Sequence, residues 1–201
     1  MERKERSFKV VLLGSAAVGK SSIMKRVTDD TFNPVEESTI GAAFYSKGYP
    51  GNVTLQIWDT AGQDKYANLA PMYYRGANAV VSVYDVTNGK SYYRALEWVK
   101  ETSGHVGHDG ISQVFSVLVG NKTDCDANDR EVSTELGKMG TADQLGIAHR
   151  FVETSAKTGE NVHGVFEEIA KYLSEQSDAP ERRRFFLNEP TVETKNKCCY
   201  N

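Results

Sequence analysis

The chain has 201 residues, 39% of them hydrophobic and 25% charged, with a net charge of -3; this suits one soluble folded domain plus some tail, with enough apolar chain for a sizeable core. The mild acidity argues against a broad basic surface for nucleic acid, and no apolar run approaches the roughly 18 residues that a membrane-spanning helix needs. The three cysteines, at positions 125, 198 and 199, make no disulfide framework and suit a reducing compartment.

The first residues run from charged (Glu2 to Arg6) to apolar (Val10 to Leu13) to small (Ser15 to Ala17), which mimics a secretory leader. The bulky run is too short for one, and Gly14 interrupts it. Residues 8–13 read instead as a buried strand and residues 21–27 as a helix. Between them, Gly14 to Ser21 fits the pattern G-x-x-x-x-G-K-[ST] without a mismatch. Two glycines let the backbone curl, so that amides along Ser15, Ala16, Ala17, Val18, Gly19, Lys20, Ser21 and Ser22 line an anion nest, reinforced by the positive end of the helix. Lys20 would reach the β- and γ-phosphates, and Ser21 would offer its hydroxyl to Mg²⁺. The loop by itself indicates a phosphate binder and leaves the nucleotide open.

Residues 28–40 are polar and read as a loop. Residues 40–45 and 53–58 read as a hairpin joined by Gly48-Tyr49-Pro50-Gly51-Asn52. In its second strand Val53, Leu55 and Ile57 alternate with Thr54, Gln56 and Trp58, so Trp58 falls on the polar face. It is there either because a neighbouring element covers it or because a partner reads it. Asp59-Thr60-Ala61-Gly62-Gln63 closes that strand, and residues 65–75 read as loop and irregular helix around Pro71.

A nearly unbroken apolar strand is predicted over 77–84, buried on both faces as in a parallel sheet. A helix follows over 91–102, a glycine-containing loop over 104–112 and a second buried strand over 114–119. That strand leads into Gly120-Asn121-Lys122-Thr123-Asp124. A helix is expected over 133–147, weakened by Gly137, Gly140 and Gly146. A short strand at 150–153 leads into Thr154-Ser155-Ala156-Lys157, and Val162, Val165, Phe166, Ile169 and Leu173 form one stripe of a helix over 161–173. The division is thus a domain at 1–176 and a flexible polar tail at 177–201.

The alternation predicts an α/β fold: a doubly wound, mostly parallel six-stranded sheet with one antiparallel strand and helices on both faces. Four motifs follow four different strands at their carboxyl ends, the edge where such sheets bind ligands. The Asp124 carboxylate can accept from guanine N1–H and N2–H₂, a donor pair that adenine lacks. Read alone, Asn121 could be a helix cap and Asp124 a surface charge, and Asp59 could cap a turn.

Taken together, the loop at Gly14, the run from Asp59 to Gln63, Asn121-Lys122-x-Asp124 and Ser155-Ala156-Lys157 resemble a small GTPase of the Ras superfamily over residues 7–175. Trp58 to Gln63, Tyr73-Tyr74-Arg75-Gly76 and the tail cysteines resemble its Rab branch. Ser38-Thr39-Ile40-Gly41-Ala42-Ala43-Phe44 and Leu69 to Tyr74 resemble the early-endosomal (Rab-five) subfamily. The resemblance implies GTP or GDP as bound nucleotide and Mg²⁺ held by Ser21, by Thr39 only while a γ-phosphate is present, and by Asp59 from behind the direct ligands. Gly62 would sense the γ-phosphate, Gln63 would orient the attacking water, and Lys20 would assist. The Ala156 amide would meet the guanine carbonyl, Lys122 and Lys157 would flank the base, and Phe32 would pack on its edge. Phe44, Trp58 and Tyr73 match the aromatic triad that effectors read. No arginine finger is evident in the chain, so turnover should be slow and rise on the order of 10³–10⁵-fold with an activating protein.

The resemblance further implies an exchange factor, a GDP-dissociation inhibitor, an escort protein and tethering effectors. It implies a monomeric domain on the cytoplasmic face of early endosomes, with a chaperoned cytosolic pool. Cys198 and Cys199 would carry two geranylgeranyl groups, since one lipid anchors marginally and two anchor stably. The chain departs from relatives at Ala16 and Ala17, at Asp64-Lys65 in place of Glu-Arg, and in a longer, glycine-rich stretch over 126–146. Two other classes fit parts of the pattern: an adenine-using phosphoryl-transfer enzyme, which Asp124 opposes, and a non-cycling scaffold, which Thr39 and Gln63 oppose.

Overall fold

The computed structural model describes residues 5–62, 70–103, 114–139 and 150–178. Among them strands and helices run in the order β1 (Arg6–Leu13), α1 (Lys20–Asp29), β2 (Ala42–Tyr49), β3 (Val53–Thr60), α2 (Ala70–Tyr74), β4 (Ala79–Asp85), α3 (Gly89–Ser103), β5 (Phe115–Asn121), α4 (Thr134–Met139), β6 (Arg150–Glu153) and α5 (Val162–Asp178). The six strands make one sheet in the order β2-β3-β1-β4-β5-β6. Only the β2–β3 pair is antiparallel, as the alternation predicts.

Strand residues alternate between two faces, and both faces are covered, so Val10 to Leu13 on β1 and all of β4 and β5 are buried. On one face Val10, Leu12, Leu55, Val81 and Val117 meet Ile23, Met24 and Val27 of α1 and Val165, Phe166 and Ile169 of α5. On the other, Val11, Leu13 and Val80 pack with Trp98 of α3, and Tyr84 and Leu118 pack with Tyr92, Ala95 and Val99 of the same helix. The chain adds strands on one side of β1 and then crosses to the other, so neighbour order reverses at β1. The loop that leaves β1 therefore opens at the crevice where such sheets bind ligands.

Several boundaries differ from the sequence reading. The hairpin is tighter than expected: β2 reaches Tyr49 and β3 begins at Val53, because Gly51 and Asn52 both take left-handed backbone, with φ of 83° and 58°. Within the predicted 133–147 helix the described residues show only Thr134–Met139; residues 140–149 lie outside them. Gly137 does not weaken this helix by chance. A Cβ there would come within 2.3 Å of the Phe151 ring and 2.7 Å of the Tyr84 hydroxyl, so the glycine is what lets α4 lie against the sheet. Helix α5 continues to Asp178, past the end of its apolar stripe.

Candidate functional site

The phosphate loop leaves β1 at Gly14, whose φ of 147° and close approach to the Val83 carbonyl, 2.2 Å from a hypothetical Cβ, admit no side chain. It enters α1 through Gly19, left-handed at φ 96°, and no side chain caps that helix end. The first amides of α1 are thus left free to bind an anion. Lys20 is 6% exposed, and its Nζ donates to the carbonyls of Gly14 and Ser15, both at 2.9 Å. Burial lowers its pKa to about 8, with the Asp59 charge pulling the other way.

Three predicted metal residues, from three separate segments, converge. Ser21 Oγ donates to Asp59 Oδ2 at 2.6 Å and lies 2.8 Å from Thr39 Oγ1, which itself sits 3.4 Å from Asp59 Oδ2. Asp59 is 1% exposed, and its Oδ1 is buried with no hydrogen-bond partner among the described residues. Burial pushes the Asp59 carboxyl up, while the Ser21 hydroxyl and the Lys20 charge restrain it. An orphaned carboxylate oxygen next to two hydroxyls is a hard-oxygen set of the kind Mg²⁺ prefers, completed by water and phosphate, so the residues fit that ion. Gly62 arrives against them: a Cβ on it would fall 2.4 Å from both Lys20 Nζ and the Ser15 carbonyl.

At the other end Asn121 ties three segments together. Its Nδ2 donates to the Val18 carbonyl at 2.9 Å, and its Oδ1 accepts from the Ala156 amide at 3.1 Å and the Thr154 hydroxyl at 3.2 Å. Asp124 Oδ1 accepts from Ser155 Oγ at 2.6 Å, and its Oδ2 lies 3.4 Å from Lys157 Nζ. Burial opposes ionisation of Asp124, but the Ser155 hydroxyl and Lys157 more than offset it, and the carboxyl is held below its ordinary value. It is therefore a ready acceptor. Lys122 takes left-handed backbone (φ 69°), and its Nζ lies 2.6 Å from Asp85 Oδ2. A cavity of about 530 Å³ joins the two ends, bordered by Ala16, Ala17, Gly19, Lys20, Ser21, Ser22, Phe32, Thr39, Gly62, Asn121, Lys122, Asp124, Ala156 and Lys157.

Three predicted residues serve from behind this wall: Ser15 and Val18 through their carbonyls, and Ser155 through Asp124. Gln63, Cys198 and Cys199 lie outside the described residues. Trp58 is both covered and presented. Its ring centroid lies 5.2 Å from that of Phe44, edge-on, and 6.5 Å from that of Tyr73. Lys9 Nζ sits 5.6 Å from the same ring, and Phe44 remains 52% exposed.

The sequence reading missed Arg26. From α1 it donates through Nε to the Ala156 carbonyl at 3.1 Å and through Nη2 to the Lys157 carbonyl at 2.8 Å, and so braces the loop that follows β6. In the sequence it is only a basic residue in a helix's last turn. It also missed Asp85 as the anchor of Lys122, since the two are joined only through neighbouring strands.

The Ras family model matches residues 9–175. The chain belongs to the Ras family. This Ras-family protein is a GTPase that binds GTP or GDP with Mg²⁺. It is 44% identical over 199 residues to the Ras-related protein Rab-5A of Dictyostelium discoideum (96% of this chain, 95% of the relative). It is 44% identical over 204 residues to the GTP-binding protein YPT53 of Saccharomyces cerevisiae (94% and 91%). Over 203 residues it is 43% identical to the Ras-related protein Rab5A of Oryza sativa subsp. japonica (98% and 96%). Similarity of this extent places the Ras-family chain in the Rab5-like group.

Proposed function

We propose that the protein is a Rab-type switch of early-endosome traffic: it recruits tethering effectors while GTP is bound and releases them after slow hydrolysis. The observation that supports this best is the single cavity bounded at one end by the phosphate loop and the Ser21–Thr39–Asp59 cluster, and at the other by Asn121, Asp124 and Ala156.

In this reading Ser21, Thr39 and Asp59 would hold Mg²⁺, which would supply charge neutralisation to the phosphates. Lys20 exchanges its two carbonyl partners for phosphate oxygens. The Gly62 amide meets the γ-phosphate, and Gln63 orients the water that attacks it. Asp124 selects guanine, the Ala156 amide reads its carbonyl, Lys122 and Lys157 flank the ring, and Phe32 packs on its edge. Thr39 lies in the loop before β2 and Gly62 just after β3, so loss of the γ-phosphate releases both contacts. Phe44, Trp58 and Tyr73 form the surface that effectors read. An exchange factor, an activating protein, a GDP-dissociation inhibitor and an escort protein complete the cycle. Residues 1–176 form the switch, and the tail at 177–201 carries geranylgeranyl groups on Cys198 and Cys199, which hold it to the cytoplasmic face of the membrane.

The test is the nucleotide released when purified protein is denatured, followed by single-turnover hydrolysis with and without an activating protein. Guanine nucleotide and an accelerated turnover are expected. Adenine nucleotide would point to phosphoryl transfer, and binding without acceleration would point to a scaffold.

A further inference from the structure

Lys25 stands four residues after Ser21 on α1, so the helical repeat puts both side chains on one face, a turn apart. Its Nζ lies 2.8 Å from Oε2 of Glu36, in the loop between α1 and β2. That oxygen is shut off from solvent and lacks a well-aligned hydrogen bond, so the contact is chiefly one of charge. Glu36 also lines the nucleotide cavity, three positions before Thr39. A carboxylate at the wall of a cavity for a polyphosphate is like-charged with its ligand and repels it unless compensated.

We propose that Lys25 is the compensating charge that lets Glu36 face the outermost phosphate, and that the pair sets how strongly the pocket prefers triphosphate to diphosphate. The inference rests on the GTPase reading above. The γ-phosphate adds its charge at the Ser21–Thr39–Asp59 end, whose Thr39 follows Glu36 in the same loop. A diphosphate stops short of it. Removing Lys25 should therefore penalise GTP more than GDP. The pair also bridges α1 to the loop that carries Thr39, but a tether alone would treat the two partners alike, whereas charge compensation does not.

The experiment is equilibrium titration of fluorescent GDP and a fluorescent non-hydrolysable GTP analogue against the full chain with Mg²⁺, for the parent and for Lys25→Ala, Glu36→Gln and the double variant. Lys25→Ala is expected to lower analogue affinity relative to GDP about fivefold, near the upper end for a partly exposed pair, with GDP affinity within about twofold. Glu36→Gln should hold or raise the ratio, and the double variant should recover it. An unchanged ratio in Lys25→Ala, or equal losses in both single variants with no recovery in the double, would overturn the proposal. A parent chain that binds neither nucleotide would instead overturn the GTPase reading, and the proposal with it.

Discussion

At the scale of single residues the site separates charge that must be kept from charge that must be hidden. Asp124 is kept ionised by Ser155 and Lys157, as an acceptor for two guanine donors requires. Asp124→Asn should move preference from guanine to xanthine nucleotides by at least roughly tenfold, since one hydrogen bond to a charged group is worth about 1.5–3 kcal/mol. Competition between GDP and XDP for a fluorescent nucleotide would show it, and intact guanine selectivity would refute the role. Lys20 is the opposite case. In the nucleotide-free chain burial holds it at about 8. Below that pH both folded and unfolded chains carry the proton, and the folded one bears the whole burial penalty. As pH rises above it the folded chain loses its proton first, and the penalty disappears. Phosphate needs the ammonium form, so GDP binding should take up a proton at pH 9 but not at pH 7, and affinity should fall as pH climbs beyond about 8. Calorimetry in buffers of different ionisation enthalpy measures that uptake directly.

At the scale of elements, the loops proposed to touch the base borrow their rigidity from helices and from one another. Arg26 reaches from α1 to the carbonyls of Ala156 and Lys157, and its guanidinium also holds the Asp30 carbonyl at 2.8 Å where α1 ends. The helix that starts at the phosphate loop therefore also supports the base loop. Arg26→Ala leaves the Ala156 and Lys157 carbonyls, among others, without this donor and should speed GDP dissociation on the order of tenfold, equivalent to one or two charged hydrogen bonds; stopped-flow release of a fluorescent GDP is the readout. Dissociation at the parent rate would show that the contacts are incidental. Asn121 performs a similar joining task between the phosphate loop and the base loop, but its motif reveals it in the sequence. Arg26 belongs to no motif, and nothing in its local spacing distinguishes it from a helix-terminal charge.

At the scale of the whole molecule, the cavity lies between segments from 16 to 157 that only the sheet brings together. Ligand binding should therefore stabilise the fold globally. GDP with Mg²⁺ at a thousandfold over the dissociation constant adds about 4 kcal/mol, which for a domain of this size raises the melting temperature on the order of 10 °C; chelation of Mg²⁺ should reverse much of the shift. A melting curve unmoved by GDP would contradict a nucleotide site here. The sequence alone determined the sheet class and the strand-to-loop placement of the four motifs, because strand alternation and glycine-rich loop chemistry are local properties. It could not show why Gly137 is there, because Phe151 and Tyr84 meet that glycine from distant strands. Only the tertiary structure decided that Ser21, Thr39 and Asp59 share one oxygen cluster, that Arg26 braces the base loop and that Lys25 stands against Glu36. Each of these depends on distances between side chains of different elements, which the folded chain sets and local sequence pattern does not.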